Sequence, residues 1–365
     1  MKIALIYVID PPALTIQAIL LSASVRRHLP DADLIAYCPE EKINQVPPQM
    51  REYLAHTGTH IATMPTEGAF APRYKQGNKL LAAAQPRAHD FTIFLDTDIV
   101  VWQPFDLAGM VEPGAVSAAP EGRYTWGKKA GHWETAYGVF GLTVPEDRVK
   151  LVRTGAMSPP YFNAGVVGFP TEFGKLWLET AQELDRSTHA VSGRRPWLDQ
   201  IALPIAMRRA GLSHKHLDDR FNLSTSHTPV KDTMPRNRQV KKQAEIDRLN
   251  GMDPFLIHYH AIGSLKDLRY AGYEDDLLQE FTIFRSLEDM DWKKHIDFDP
   301  KALMAEFWAL KKIPGKERTA EQRKQFAAVH KRKEQLKVAS HHPDRFTNVW
   351  PASILPVTKP QTKVG

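Results

Sequence analysis

The first third of the chain alternates continuous apolar runs with longer segments in which apolar residues recur at helical spacing. KIALIYVI and DLIAYCP read as strands, and TIQAILLSASVRRHLP between them reads as a helix. A second unit joins a short helix in NKLLAAAQPRA to the strand FTIFL, whose unbroken apolar run is typical of a strand buried on both faces. Strands that alternate with helices build parallel sheets, so the pattern predicts an α/β protein.

The rest of the chain continues this pattern and then changes character. We predict strands in GAVSAAP, YFNAGVVGFP and FLIHYHAIGSLKD, and helices in LWLETAQELDRST and WLDQIALPIAMRRAG. From about residue 275 the pattern becomes helical and charged, and EQRKQFAAVHKRKEQLKVA is a basic helix with a thin apolar stripe at Phe326, Val329 and Leu336. Repeated prolines near the end predict an extended segment. The predicted divisions are a main domain over 1–275, a helical basic extension over 276–342 and an extended arm over 343–365.

Composition narrows the classes of function. Apolar residues make up 42% of the chain and charged residues 25%, as in globular proteins. The net charge of +6 lies in the tail, where the residues from Lys301 onward carry fourteen Lys and Arg against five Asp and Glu. Residues 1–300 are therefore slightly negative, which argues against a nucleic-acid partner. The basic helix is then either a solvated face or a peripheral contact with an anionic membrane surface.

A single cysteine, Cys38, excludes an intrachain disulfide and fits a reducing compartment. The opening run MKIALIYVI is too short for a secretory signal, and no run reaches the roughly 18 apolar residues that cross a bilayer. The predicted location is the cytoplasm, with peripheral contact at the inner membrane face as an extension of that prediction.

Two carboxylates interrupt the apolar run FLDTDIVVW. In extended backbone, side chains at i and i+2 share a face, so Asp96 and Asp98 can point into the same space. This arrangement suits a divalent cation bound through oxygen. The alternative is a turn at the end of a strand in which the carboxylates cap backbone amides. The position itself, at the carboxyl end of a central strand, is where open α/β sheets bind ligands.

The segment LIHYHAIGSLKD supplies candidate partners for these carboxylates. His258 and His260 alternate on one face of a predicted strand, and Gly263 turns the chain so that Lys266 can return over the same pocket. An imidazole added to two carboxylates favours manganese over magnesium or calcium. A second pair of histidines, His214 and His216, could form a separate metal site. The favoured interpretation is that both belong to a strand at the edge of the sheet.

Four motifs in order resemble glycosyltransferase family 8, the retaining GT-A enzymes that include glycogenin and bacterial lipopolysaccharide galactosyl- and glucosyltransferases. The motifs are Asp96-x-Asp98, Phe162-Asn163-Ala164-Gly165, Asp199-Gln200 and His260-x-x-Gly263-x-x-Lys266. The resemblance covers roughly residues 3 to 270. It implies a GT-A α/β fold in which a mixed, mostly parallel central sheet is flanked by helices, with a nucleotide-binding half over 1–106 and an acceptor half over 107–275.

The resemblance also implies an activity and a set of site residues. The activity is transfer of a hexose from a nucleotide sugar, with uridine diphosphate as the expected nucleotide, to a saccharide or glycolipid acceptor with retention at the anomeric carbon. Asp96, Asp98 and His260 would hold manganese, with magnesium as the alternative. Asp199 and Gln200 would act at the reacting carbon. The residues implied in donor binding are Lys79, Asp96, Asn163, Ala164, Asp199, Gly263 and Lys266.

Retention leaves two routes open. The acceptor can attack the front face while the leaving phosphate takes its proton, or a covalent adduct can form first. We favour front-face attack, since no second carboxylate is placed as a nucleophile. Two other classes of function stay open. One is a hydrolase in which the two carboxylates with His258 and His260 hold zinc, and the other is a non-catalytic sugar-nucleotide-binding module.

The chain departs from the family pattern in three places. Asp267-Leu268 stands where the family has Pro-Trp, and an acid there would repel an acidic acceptor. Ile201 replaces a polar residue. Residues 120–138 have no counterpart, and their aromatic residues Trp126, Trp133 and Tyr137 form either a platform that stacks on the acceptor or a loop packed on its own rings.

Overall fold

The computed structural model describes residues 1–11, 13–187, 191–227, 230–261, 263–280 and 298–341. The strands within these ranges are β1 Ile3–Val8, β2 Asp33–Pro39, β3 Thr59–Met64, β4 Phe91–Leu95, β5 Ile99–Val101, β6 Ala115–Pro120, β7 Val149–Lys150, β8 Met157–Ser158, β9 Phe162–Pro170, β10 Ser213–His216, β11 Leu223–Ser224 and β12 Leu256–His258. The α-helices are α1 Thr15–His28, α2 Pro48–His56, α3 Asn78–Ala83, α4 His132–Gly138, α5 Phe173–Arg186, α6 Leu198–Ala210, α7 Arg236–Gly251, α8 Tyr273–Glu280, α9 Pro300–Lys311 and α10 Ala320–His341. The predicted arm over 343–365 lies outside the described residues.

A seven-stranded sheet forms the centre of the fold, in the order β10-β6-β9-β4-β1-β2-β3. β1, β2, β3 and β4 are parallel, as expected of strands joined through helices. β9 runs antiparallel to both of its neighbours, β4 and β6, which makes the sheet mixed. The predicted α/β class with a mixed, mostly parallel central sheet is therefore confirmed.

Apolar side chains cover both faces of this sheet. Alternate residues of β1 enter opposite clusters, with Leu5 and Tyr7 on one side and Ala4 and Ile6 on the other. α1 is buried along most of its length against the first side, and α6 is buried from Leu198 to Met207 against the second. Helices buried on nearly all faces belong to the interior of a layered protein, so this sheet is covered on both sides.

A second, three-stranded sheet in the order β11-β12-β5 positions the functional residues. β5 continues the chain directly after Asp98 and pairs antiparallel with β12, so that Ile99 lies opposite His258. The Tyr259 N–H donates to the Asp98 carbonyl oxygen at 3.0 Å, which extends the pairing by one residue. Residues that are 160 positions apart in sequence are thereby fixed side by side.

The C-terminal part of the described chain is helical. α9 and α10 pack together through Leu303, Phe307, Leu310 and Val329, with Phe326 partly buried against them. Part of the apolar stripe predicted on the basic helix is thus an internal contact between two helices. Among the described residues, no helix is long and apolar enough to cross a bilayer. The boundaries proposed for the helical extension remain a prediction, and residues 281–297 lie outside the described ranges.

Candidate active site

One carboxylate and two imidazoles converge where β5 pairs with β12. Asp98, His258 and His260 each offer a ligand atom, and these atoms all lie within 4.8 Å of one another. The Oδ1 atom of Asp98 is 3.2 Å from His258 Nε2, and its Oδ2 atom is 4.0 Å from His260 Nδ1. A carboxylate with two imidazoles suits a divalent transition metal, because nitrogen ligands favour such ions over calcium and magnesium.

The orientation of His258 supports this interpretation. Its Nδ1 atom lies 3.1 Å from the Asn222 side-chain oxygen, which can only accept, so Nδ1 carries the hydrogen and Nε2 faces Asp98. Metal-binding histidines are typically fixed in this way by a partner on the opposite ring nitrogen. Burial by itself would lower the pKa of His258, but the Asp98 carboxylate outweighs it and the pKa is raised. In the same pair, burial would raise the pKa of Asp98, but His258 holds it below its usual value.

His260 reaches the cluster through a backbone turn that the sequence pattern does not predict. β12 ends at His258, and His260 has a φ of 63°, in the left-handed region that non-glycine residues rarely adopt. The turn places the two imidazole rings 4.0 Å apart, and His260 Nε2 is 2.8 Å from the Ser224 hydroxyl. Burial and the neighbouring charge of His258 lower the pKa of His260 to about 3, so its imidazole is neutral and able to bind a cation.

Asp96 lies in the same cavity but makes different contacts. The Lys79 ammonium, on α3, is 2.9 Å from Asp96 Oδ1 and 2.8 Å from Asp199 Oδ2, and it donates to the Ala164 carbonyl oxygen at 3.1 Å. Burial would lower the pKa of Lys79, but Asp199 and Asp96 outweigh it and the pKa is raised. Lys79 thus joins Asp96 and Asp199 into one largely buried ionic group. In the cluster of potential metal ligands, His258 stands where the sequence suggested Asp96.

Gln200 is held on both sides of its amide. Its side-chain oxygen accepts from the Tyr161 hydroxyl at 2.9 Å, and its Nε2 donates to Glu121 Oε2 at 2.9 Å. The same Glu121 oxygen accepts from Asn163 Nδ2 at 3.0 Å. Glu121 is 8% exposed and follows β6 directly, and it was missed because a lone Glu after a strand carries no motif.

The network continues from Asn163 to the metal cluster. Asn222 Nδ2 donates to Asn163 Oδ1 at 2.8 Å, and the oxygen of the same Asn222 amide accepts from His258. The Gly165 N–H also donates to Asn163 Oδ1, at 2.9 Å. Consequently Gln200, Glu121, Asn163, Asn222 and His258 form one continuous chain of hydrogen bonds. Asn222 was missed because a single polar residue carries no motif.

These groups line a single cavity of about 470 Å³. Predicted residues that line it are Lys79, Asp96, Asp98, Asn163, Asp199, Gln200, His258 and His260. Trp197, Glu121, Asn222 and Ser224 line it as well, although the sequence analysis did not single them out. The carboxyl ends of the central strands therefore open into a pocket with a charged and polar wall.

Three residues implied in donor binding are placed outside the lining of this cavity. Ala164 is fully buried and contributes only its carbonyl oxygen, to Lys79. Lys266 is exposed on a short 3-10 turn over Ser264–Asp267. Gly263 begins that turn with a φ of 74°, so its role in this structure is to reverse the backbone.

The aromatic residues of the 120–138 segment are core residues, which corrects their assignment as an acceptor platform. Trp126 is 5% exposed, Trp133 3% and Tyr137 fully buried. The Trp126 and Trp133 rings meet edge to face at 5.1 Å, and the Trp126 indole N–H donates to the Ser192 carbonyl oxygen at 3.0 Å. Rings of this size bury a large apolar area when they pack in the core, which stabilises this arrangement. The loop packed on its own rings is the arrangement observed.

His214 and His216 lie on β10 at the sheet edge, as favoured. Their rings stack at 4.7 Å and both contact Phe162. Among the described residues, the cluster of Asp98, His258 and His260 is the one group of three or more potential metal ligands.

A buried carboxylate controls the turn that follows His260. Both oxygens of Glu274 accept from the Gly263 N–H, at 3.0 and 3.2 Å, and Glu274 is 5% exposed. Burial raises the pKa of Glu274 to about 7, although the hydrogen bond from Gly263 partly offsets it. The folded state therefore holds a proton that the unfolded chain releases near pH 4.5.

Stability is expected to fall as pH rises through this interval. Between about pH 4.5 and 7 the unfolded state binds fewer protons than the folded state, so the free energy of unfolding declines by about 3 kcal/mol. Glu274→Gln keeps an acceptor for Gly263 but cannot ionise, and should remove most of this decline. Urea unfolding of both proteins at pH 5 and pH 8 measures it. Glu179→Gln, an exposed position on α5, is the matched control, and an equal decline in wild type and Glu274→Gln would contradict the prediction.

Comparison with known proteins identifies the family. The chain matches the Rhodobacterales glycosyltransferase domain over residues 5–211, more than half of its length. The matched range includes Lys79, Asp96, Asp98, Asn163 and the pair Asp199-Gln200, while both histidines of the metal cluster lie beyond it. No curated protein sequence matches the chain.

Several solved glycosyltransferase structures are similar. The bifunctional glycosyltransferase WbbM, in its apo form, has a TM-score of 0.44 and 13% identity, covering 78% of this chain and 52% of that one. The chain thus spans about half the length of WbbM. The galactosyltransferase LgtC, solved with donor and acceptor sugar analogues, has a TM-score of 0.46 and 16% identity, covering 74% and 95%. GlyE of Streptococcus pneumoniae TIGR4 has a TM-score of 0.42 and 18% identity, covering 71% and 55%.

Membership is decided by the family match, because it spans most of the central sheet and the carboxylate-bearing strand end. The glycosyltransferase predicted from the ordered motifs is therefore confirmed at the level of the family. The chain belongs to the Rhodobacterales glycosyltransferase domain family.

Proposed function

We propose that this glycosyltransferase moves a hexose from a uridine diphosphate sugar to a saccharide or glycolipid acceptor, with retention at the anomeric carbon and with a divalent metal, manganese before magnesium. The observation that carries the proposal is that one cavity contains both the cluster of Asp98, His258 and His260 and the ionic group of Lys79, Asp96 and Asp199. Family membership favours sugar transfer over the hydrolase that the same metal ligands would otherwise permit.

Asp98, His258 and His260 would hold the metal. When bound, the cation supplies positive charge beside the leaving diphosphate, where negative charge grows as the bond to the anomeric carbon breaks. His260 is neutral, and Asn222 orients His258 so that its Nε2 faces Asp98. Because the pKa of His258 is raised, metal binding there would release a proton.

The remaining residues act on the sugar. Asp199 and Asp96 present oxygens that can accept hydrogen bonds from sugar hydroxyls, and Lys79 fixes their relative position. Gln200 is hydrogen-bonded to Tyr161 through its side-chain oxygen and to Glu121 through its nitrogen, so its amide stays in one orientation at the cavity. A fixed dipole near a carbon that becomes cation-like costs no reorganisation during reaction. In front-face attack the acceptor hydroxyl adds to the anomeric carbon on the side the phosphate leaves, and its proton passes to that phosphate.

The basic α10 would give the protein a peripheral contact with an anionic membrane, which would suit a glycolipid acceptor. Exposed cations on this helix include Arg323, Lys324, Lys331 and Arg332. Cationic helix faces are attracted to anionic lipids.

A thermal-shift panel tests the proposed activity. Nucleotide sugars that differ in base and sugar are added with and without manganese, and one uridine diphosphate sugar should raise the melting temperature only when manganese is present. At a hundredfold excess over Kd the expected rise is about 3 °C for a chain of this size. Product analysis by NMR then assigns the anomeric configuration. The proposal would be contradicted if none of the nucleotide sugars raised the melting temperature. It would also be contradicted if turnover gave only free hexose when acceptors were present.

A further inference from the structure

The cavity has a second side, formed by the residues that follow β6 and adjoining the cluster of Asp98, His258 and His260. In the central sheet β4 lies between β1 and β9, and β6 lies beyond β9. Asp96 and Asp98 follow β4, whereas Glu121, Gly122 and Arg123 follow β6 and line the same cavity. If the donor diphosphate lies at Asp98, as the proposed function requires, the β6 side is left for the acceptor.

Arginines dominate the charge of this side. Arg123, Arg153 and Arg248 all line the cavity. Arg153 Nη2 and Arg248 Nη2 lie 3.0 and 3.2 Å from the same oxygen of Glu245, so two guanidinium groups share one carboxylate. Within the described ranges, the Arg123 guanidinium has no hydrogen bond or ion pair. The Arg123 guanidinium, which is exposed, is therefore available to a ligand.

Two acids, Glu121 and Asp219, line the same side. The oxygens of Glu121 already accept hydrogen bonds from Gln200, Asn163 and the Gly122 N–H. An anionic ligand group could therefore bind the exposed Arg123 guanidinium without displacing an existing salt bridge among the described residues.

The backbone fixes Arg153 beside the end of β6. Arg153 donates its backbone N–H to the Gly122 carbonyl oxygen at 2.9 Å. The side-chain stem of Arg153 lies across Gly122, because a Cβ built on that glycine would come within 2.9 Å of Arg153 Cδ. Arg123 follows Gly122 directly in the chain, so the two guanidinium groups extend from adjoining backbone, and guanidinium donors suit recognition of a planar or tetrahedral anion.

Asp267 is the residue from which the sequence predicted repulsion of an acidic acceptor, and the structure removes that objection. The Asp267 carboxylate lies 3.8 Å from His227 Nε2 and does not line the cavity.

We propose that the acceptor is an acidic saccharide whose carboxylate or phosphate group is bound by Arg123 and Arg153. This inference rests on the proposed function for the direction of transfer, but the binding it predicts needs no donor.

Ligand-observed NMR titration of the full chain with matched sugar pairs tests the proposal. The pairs are methyl β-glucuronide against methyl β-glucoside, methyl α-galacturonide against methyl α-galactoside, and glucose 6-phosphate against glucose. At low salt, the acidic member of at least one pair should bind with a Kd about tenfold lower than that of its neutral partner. A tenfold change in Kd corresponds to the free energy of about one hydrogen bond to a charged group. The uronide and phosphate arms show which anion the site takes.

Arg123→Gln and Arg153→Gln should each reduce the preference for the acidic sugar, and the double variant should abolish it. Lys128→Gln removes a nearby exposed cation that does not line the cavity, and should keep the preference. Equal binding of acidic and neutral sugars by the wild type overturns the inference. A preference for the acidic sugar that survives the double variant also overturns the inference. If the variants lose only the binding of uridine diphosphate with manganese, the arginines bind the donor and the inference is again overturned.

Failure of the proposed function would be recognised separately. Binding of an acidic sugar without turnover of any nucleotide sugar contradicts the proposed transfer but supports the anion site. Turnover with neutral acceptors alone supports the transfer and contradicts the anion site.

Discussion

Replacing Asp98 with alanine is expected to abolish manganese-dependent turnover of the nucleotide sugar, with a loss of at least about 10²–10³-fold. Asp98 is the carboxylate of the cluster, and its two oxygens face His258 and His260. Without it, two imidazoles remain with no anionic ligand between them. Turnover is measured as release of uridine diphosphate, and metal affinity by titration with manganese.

Two further variants sharpen this test. Asp147→Ala removes an exposed carboxylate that does not line the cavity, and should retain turnover. Asp96→Ala should weaken manganese less than Asp98→Ala does, because Asp96 is paired with Lys79 in this structure rather than with the imidazoles. Unaltered manganese-dependent turnover in Asp98→Ala would overturn the proposed metal site. Equal losses of manganese affinity in the two variants would restore Asp96 as a ligand.

Replacing Gly165 with alanine should reduce activity at the same site, although it replaces none of the proposed metal ligands. A Cβ at Gly165 would lie 2.7 Å from His258 Cε1 and 2.9 Å from Asn163 Oδ1, which are distances that real Cβ atoms do not show. The His258 ring, Asn163 or the strand itself must therefore shift, which disturbs the contact of His258 with Asp98. A displacement of about 1 Å at a reacting centre can cost roughly 10²-fold in rate, and the overpacking itself about 1–3 kcal/mol of stability.

The matched control for this variant is Gly109→Ala, since a Cβ at Gly109 meets no atom within 4 Å. Activity and urea unfolding are measured for both. If Gly165→Ala loses stability but keeps its affinity for manganese, His258 is not a ligand. If it keeps both, the close packing of β9 against His258 is contradicted.

The sequence predicted the helices and strands better than it predicted how the strands pair. The strand–helix–strand unit of β1, α1 and β2, and the buried β4, followed from apolar periodicity because that pattern records which faces of each segment are buried. The direction of β9 did not follow. An apolar strand reads the same whether it is parallel or antiparallel to its neighbour, and only the pairing to β4 and β6 shows the reversal.

The same limit applies to the site. Lys79, Asn163, Asp199 and Gln200 were named from motifs and all line the cavity. Glu121 and Asn222 were not, because single polar residues carry no pattern, yet they join Gln200 to His258 through hydrogen bonds. Residue type left Trp126 and Trp133 either at the acceptor or in a loop packed on its own rings, and the burial of both rings places them in the core.

The sequence by itself determined the α/β class, the placing of Asp96 and Asp98 at the carboxyl end of a central strand, and the involvement of a distant histidine. Only the tertiary structure decided that Asp98 meets both His258 and His260 while Asp96 meets Lys79. The reason is physical, because the alternation of side chains along a strand is local, whereas the neighbours of a carboxylate depend on the register between β5 and β12 and on the left-handed turn at His260.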